Sequence, residues 1–222
     1  MKNELSLTAL RCLAAVLCTA GLASTATAGR PLTVDDAGTN AKGEGHVEFW
    51  ATRADGSRSL NIAPAYALAD GLEIGALLAR DTTNKITTTG AQVKWLITPS
   101  RDRGCNAGVA FGAAHASGQG NSDNAGFVNG LLSCNGTALG HVHANLGSTK
   151  ASGQAEITNW GVAIEREFGA VTPHVEWFGV EGSKPTLQVG ARGDAAKDLQ
   201  LDGTIGRSDG VTLYSVGLKF RF

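Results

Sequence analysis

A few histidines and a set of charged residues, most of them in the second half of the chain, carry whatever chemistry this sequence holds. His141 and His143 are two apart, so on an extended strand they share one face. Glu165 lies one alternating segment further on, and His174 one beyond that. Such a group could bind a metal, relay a proton, or simply hydrogen-bond within an interior. A metal needs three or four ligands converging on one point, which spacing alone does not show, so no metal or cofactor is assigned. Ser133, Ser148, Ser152 and Ser215 sit in no recognisable nucleophile motif, and a serine–histidine–acid group is defined by geometry. No catalytic residue is assigned, and the chain is read as a non-enzyme.

The same parity collects a larger polar set on one face: His141, His143, Asn145, Glu165, Glu167, His174, Glu176, Arg192, Asp202, Lys219 and Arg221. Acids and bases fall on neighbouring segments, so Glu176, Arg192, Asp202 and Lys219 are expected to form an ion-pair lattice. Facing a lumen, this set reads either as a charged constriction that selects solutes, or as groups that neutralise one another and plug the space.

The elements that would position these residues are strands. From about residue 45 onward, segments of about ten residues alternate in polarity between turns rich in Gly, Asn, Asp and Ser, the pattern of a transmembrane barrel. Leu60, Ile62, Pro64, Tyr66 and Leu68 share one face, against Asn61, Ala63, Ala65 and Ala67. Thr89, Ala91, Val93, Trp95 and Ile97 oppose Gly90, Gln92, Lys94 and Leu96. With a first strand at Gly45–Arg53, the count is about twelve. The second face is small or polar, yet charged residues are only 18% of the chain, fewer than a water-facing exterior would carry. The expected fold class is therefore all-β: a single antiparallel up-and-down transmembrane β-barrel, with a soluble lipocalin-like barrel as the alternative. A net charge of −1 argues against nucleic acid as a partner. Trp50, Phe178 and Val180 come out on the inward face, where a bulge or a shifted register would explain them.

Residues 1–28 read as a cleaved signal peptide: Lys2 and Arg11, an apolar run from Cys12, then Ala26-Thr27-Ala28 as a small-x-small cleavage site. Residues 29–43 form a short periplasmic segment that either hangs free or enters the lumen, and the barrel occupies 44–222. Short turns at residues 69–71, 135–136, 169–172 and 195–197 alternate with longer polar loops at 81–86, 116–124 and 147–155. That asymmetry, interrupted by a longer turn at 98–104, would place both termini in the periplasm. Pairing residues 104–115 with 124–135 about the intervening loop sets Cys105 opposite Cys134, and a disulfide is expected in an oxidising compartment.

The last strand resembles the terminal strand of bacterial outer-membrane barrels, with Tyr214, Val216, Leu218, Phe220 and Phe222 at alternate positions ending in Phe. The resemblance implies insertion by the barrel-assembly machinery, with outer-membrane lipid as the second partner. Residues 30–38 (Arg-Pro-Leu-Thr-Val-Asp-Asp-Ala-Gly), His143-Ala-Asn-Leu-Gly147, Val189-Gly-Ala-Arg192 and Leu199-Gln-Leu-Asp202 are similar to segments of the meta-pathway phenol-degradation outer-membrane family, described as transporter-like. That similarity implies a channel for small, hydrophobic or aromatic solutes and transfers no site residues. The leading expectation is a passive pore or uptake channel in the bacterial outer membrane. The alternatives are a closed structural or interaction barrel with a salt-bridged lumen, and an outer-membrane lipid-modifying enzyme. Oligomeric state is not legible.

Overall fold

A computed structural model describes residues 30–222. The signal peptide assigned to residues 1–28 lies outside the described residues. Among those described there are twelve strands: β1 (Gly45–Ala54), β2 (Ser57–Ala69), β3 (Leu72–Asp81), β4 (Ile86–Leu96), β5 (Gly104–Gly118), β6 (Asn121–Thr137), β7 (Gly140–Ala151), β8 (Ile157–Glu165), β9 (Thr172–Val180), β10 (Thr186–Ala196), β11 (Leu199–Ser208) and β12 (Val211–Arg221). Each pairs antiparallel with its sequence neighbour, and β1 pairs with β12, so the sheet closes without a free edge. Closure satisfies every ladder at once, the condition a sheet must meet to cross lipid.

Alternation alone decides which side chain faces which way. On β2, Leu60 and Leu68 project outward while Ala63, Ala65 and Ala67 are buried inside. The outcome inverts a soluble protein. Leu60, Ile97, Leu146 and Val216 are 58, 58, 65 and 64% exposed, while Glu73, Lys94 and Glu176 are each 1% exposed. Tyr66, Trp95, Phe220 and Phe222 are exposed near the strand ends that share the side of the C-terminus. Trp160 and Trp177 meet edge to face outside, with ring centroids 4.9 Å apart.

The hairpin register carries through. Cys105 faces Cys134 and His115 faces Asn124, and the two cysteines form a disulfide. The long polar loops do not carry through. At the end away from the termini the connections are residues 55–56, 82–85, 119–120, 152–156, 181–185 and 209–210, between two and five residues each. Residues expected in the 116–124 loop instead extend β5 and β6 to a two-residue turn, because their polar side chains can pair across the ladder as readily as they can solvate a loop. The longest connection, residues 97–103, is at the other end, so loop length does not orient this barrel. Asn135-Gly136 is not the turn itself. It forms a bulge ahead of a turn at residues 138–139, with Gly136 at φ 69°.

Candidate functional site

Residues 30–44 enter the lumen and form a strap across it, resolving the choice between a free and an inserted segment. Over residues 30–37 its course is set by a largely buried backbone without strand partners, where every N–H and C=O needs one. Side chains of the wall supply them. Thr33 and Val34 donate their backbone N–H to Glu176 Oε2 at 2.6 and 2.7 Å. Asn145 brackets Asp35, accepting its N–H at 2.6 Å and donating to its carbonyl at 2.7 Å. Ala37 donates to Ser133 Oγ at 2.8 Å, and Asn40 to Glu73 Oε2 at 2.9 Å. Gln200 donates to the Arg30 carbonyl. The strap leaves at the rim, where Lys42 N–H reaches Asp70 at 3.0 Å.

Its side chains fill the interior. Leu32 and Val34 pack on Ala163 and Phe178, and Ala37 packs on Ala110 and Leu131. Gly161 makes room for Val34: a Cβ there would lie 2.6 Å from Val34 Cγ2. Phe178 and Trp50 thus point inward without any register error: Phe178 meets the strap, and Trp50 meets Arg30 of the strap as well as Ala63, Leu77, Ala79 and Ala114 of the wall. Val180, opposite the buried Asn159, also faces in. Lys94 pins the middle of the strap, with Nζ 2.9 Å from Asp35 and 3.1 Å from Asp36.

His143 sits between Ser133 Oγ, 2.8 Å from Nδ1, and Glu165 Oε1, 3.5 Å from Nε2. Glu165 also accepts from Arg192 at 2.9 Å. The row Ser133–His143–Glu165 has the residue types of a hydrolytic triad, but the serine oxygen lies under the strap and accepts the Ala37 N–H. Its observed role is anchoring. His174 lies 3.6 Å from Glu176 on its own strand. His141 is further towards the rim, with Nδ1 3.0 Å from Asn135 Oδ1. Glu167 lies beyond the end of β8 and is exposed, because the strand parity that predicted it inward stops at Glu165.

The expected lattice among Glu176, Arg192, Asp202 and Lys219 takes another form. Asp202 binds Arg30 at 2.7 Å, Lys219 binds Glu48 at 3.2 Å, Arg192 binds Glu165, and Glu176 holds backbone N–H groups. Three of the four are met by the strap or by β1, whose positions on the closed ring are invisible to sequence spacing, and Arg192 is met by β8. Arg221 reaches Asp194 at 3.0 Å and Gln200 at 3.2 Å. Sequence reasoning missed Arg30, Asp35, Asp36, Glu48, Glu73 and Lys94. Parity already marked Lys94 as inward, but the strap acids precede the first strand and have no periodicity to mark them. Among the described residues no group of three or more His, Cys, Asp or Glu is arranged to hold a metal ion. Outside the strands, Asp209 is hydrogen-bonded to Lys184 at 2.5 Å, which raises the lysine pKa above its ordinary value.

The family described as "Uncharacterised conserved protein UCP029691" matches residues 14–212, spanning the strap and nearly all of the barrel. The chain belongs to that family. The fold of this UCP029691 member is similar to two solved structures of KdgM porin. One, the porin in complex with disordered oligogalacturonate, has a TM-score of 0.65 at 14% identity, covering 80% of this chain and 99% of the porin. The other has a TM-score of 0.61, also at 14% identity with 80% and 99% coverage. No curated protein matches the UCP029691 chain. At this identity the likeness establishes the fold, and the strap geometry has to speak for the site.

Proposed function

We propose that the chain is a channel of the bacterial outer membrane, passing small polar solutes through a lumen narrowed by its own N-terminal strap. The observation carrying this reading is the inversion of the barrel: apolar side chains outside, charged and amide side chains within. Such an exterior is stable only against lipid, and such an interior only around water, polar solutes or a hydrogen-bonded segment. Export through residues 1–28, and insertion guided by Tyr214, Val216, Leu218, Phe220 and Phe222, belong to the same reading.

The KdgM porin complex contains oligogalacturonate, an acidic oligosaccharide. The cations of this lumen argue against the same solute class here. Arg30, Lys94, Arg192 and Lys219 each have a carboxylate partner, so no row of uncompensated cations faces a passing anion. The phenol-degradation resemblance would favour aromatic solutes, but the amides and carboxylates of the lining favour polar ones. Of the lumen candidates, Arg192, Arg221 and His141 keep exposed surface and are the ones a passing solute can meet, whereas the side chains of His174 and Glu176 have none.

A second reading, the closed structural barrel, is favoured by the density of bonds between strap and wall. Planar-bilayer conductance of the full chain and of a variant lacking residues 30–42 separates the two. The channel reading expects measurable conductance that rises several-fold in the variant. Silence from both, with the barrel folded, would sink it.

A further inference from the structure

Three neighbouring strands bring Asp202, Gly217 and Trp50 to one level of the wall. Asp202 on β11 is directly opposite Gly217 on β12, and Gly217 is directly opposite Trp50 on β1. The glycine leaves a gap between a carboxylate and an indole. A Cβ at Gly217 would lie 2.9 Å from Trp50 Cβ and 2.6 Å from the Arg30 Nε that now fills the space.

The guanidinium of Arg30 is held on three sides. Its Nη2 donates to Asp202 Oδ1 at 2.7 Å and to Ser215 Oγ at 2.8 Å. Its Nε lies 3.3 and 3.4 Å from the two carboxylate oxygens. Its Cζ lies 4.9 Å from the centroid of the Trp50 ring. The Asp202 side chain has no exposed surface. In-plane acceptors with an aromatic surface beside them are what a planar, forked cation needs; a compact ammonium can use the carboxylate but not the fork or the stacking. Every group of the slot comes from the barrel wall, and only the occupant comes from the strap. No group of the slot itself is therefore carried away when the strap leaves.

We propose that Asp202, Gly217, Trp50 and Ser215 form a guanidinium-binding site in the lumen, that Arg30 fills it as a tethered ligand, and that solutes bearing a guanidinium group compete with Arg30 for it. The proposal rests on the channel reading for the route by which a solute arrives, not for the binding itself. Tethering sets the competition, because a short flexible link gives the attached group an effective concentration on the order of millimolar. Free ligand must exceed that to displace Arg30, and meets no competitor once Arg30 is removed.

The test is made on the folded, purified Arg30→Ala chain in detergent. Guanidinium chloride and methylammonium chloride are titrated at constant ionic strength, below denaturing concentrations, with binding read by calorimetry. Guanidinium should bind at least about ten-fold tighter than methylammonium, a preference expected of the fork and the indole. It should bind at least about ten-fold tighter to Arg30→Ala than to the unaltered chain, and the preference should vanish when Asp202→Asn is added. If Arg30→Ala does not fold, Arg30→Lys replaces it, and guanidinium should displace the lysine at about one-tenth the concentration needed against Arg30. Equal binding of the two cations, or a preference that survives Asp202→Asn, overturns the proposal. Absence of conductance in every variant would sink the channel reading and leave the binding result standing.

Discussion

At the scale of the residue, the most consequential side chain is one that parity placed correctly but could not interpret. Lys94 is buried against Asp35 and Asp36, two carboxylates from a segment outside the barrel wall. Removing one partner of a buried ion pair costs about 3–5 kcal/mol, because the other is left without compensation. Lys94→Met should put that cost on strap docking while the strand ladders stay intact. The expected result is faster amide exchange at residues 32–38 and a raised conductance, with the circular dichroism of the barrel unchanged; unchanged exchange would mean that the pin is dispensable. Glu176→Gln is a milder change. The amide keeps an oxygen for the Thr33 and Val34 N–H groups, and losing a charge-assisted bond costs about 1–2 kcal/mol. Its effect on exchange should be smaller than that of Lys94→Met and confined to the same segment.

At the scale of the element, the strap and the turns divide the labour. The connections away from the termini are too short to fold back into the lumen, so the filling of the lumen falls to residues 30–44. Glycines of the wall seat the strap, which makes its docking sensitive to shape as well as charge. Gly161→Val would drive a side chain into the space held by Val34 and Phe178, and overpacking costs about 1–3 kcal/mol. It should release the strap and raise conductance without removing a single charge. The disulfide acts on a different element. It joins β5 to β6 across 29 residues, outside the lumen, and restrains the unfolded chain by about 3.6 kcal/mol on a loop-entropy estimate. The Cys105→Ser, Cys134→Ser double variant should unfold at lower urea concentration than the unaltered chain while conductance stays the same. A change in conductance would show that the β5–β6 hairpin communicates with the strap.

At the scale of the whole molecule, the inverted distribution of polarity sets the solvent the protein requires. Released from detergent, the purified barrel should aggregate, whereas a soluble barrel would stay monodisperse; sedimentation after detergent removal tells them apart. The architecture itself was written in the sequence. A residue's face on a strand depends only on its parity, so Leu60 outside, Lys94 inside and Cys105 opposite Cys134 follow from local order and the position of one turn. Trp50 and Phe178 were correctly placed by that rule and looked wrong because Phe178 packs on the strap and Trp50 on Arg30 and on small residues of distant strands. The strap is another matter. Its residues alternate with nothing, and their partners stand 143 residues away in Glu176 and 172 away in Asp202. Periodicity carries no information about such pairs. Closing the ring of strands brought β11, β12 and β1 side by side and set Asp202, Gly217 and Trp50 at one level, and only that closure made a place for Arg30.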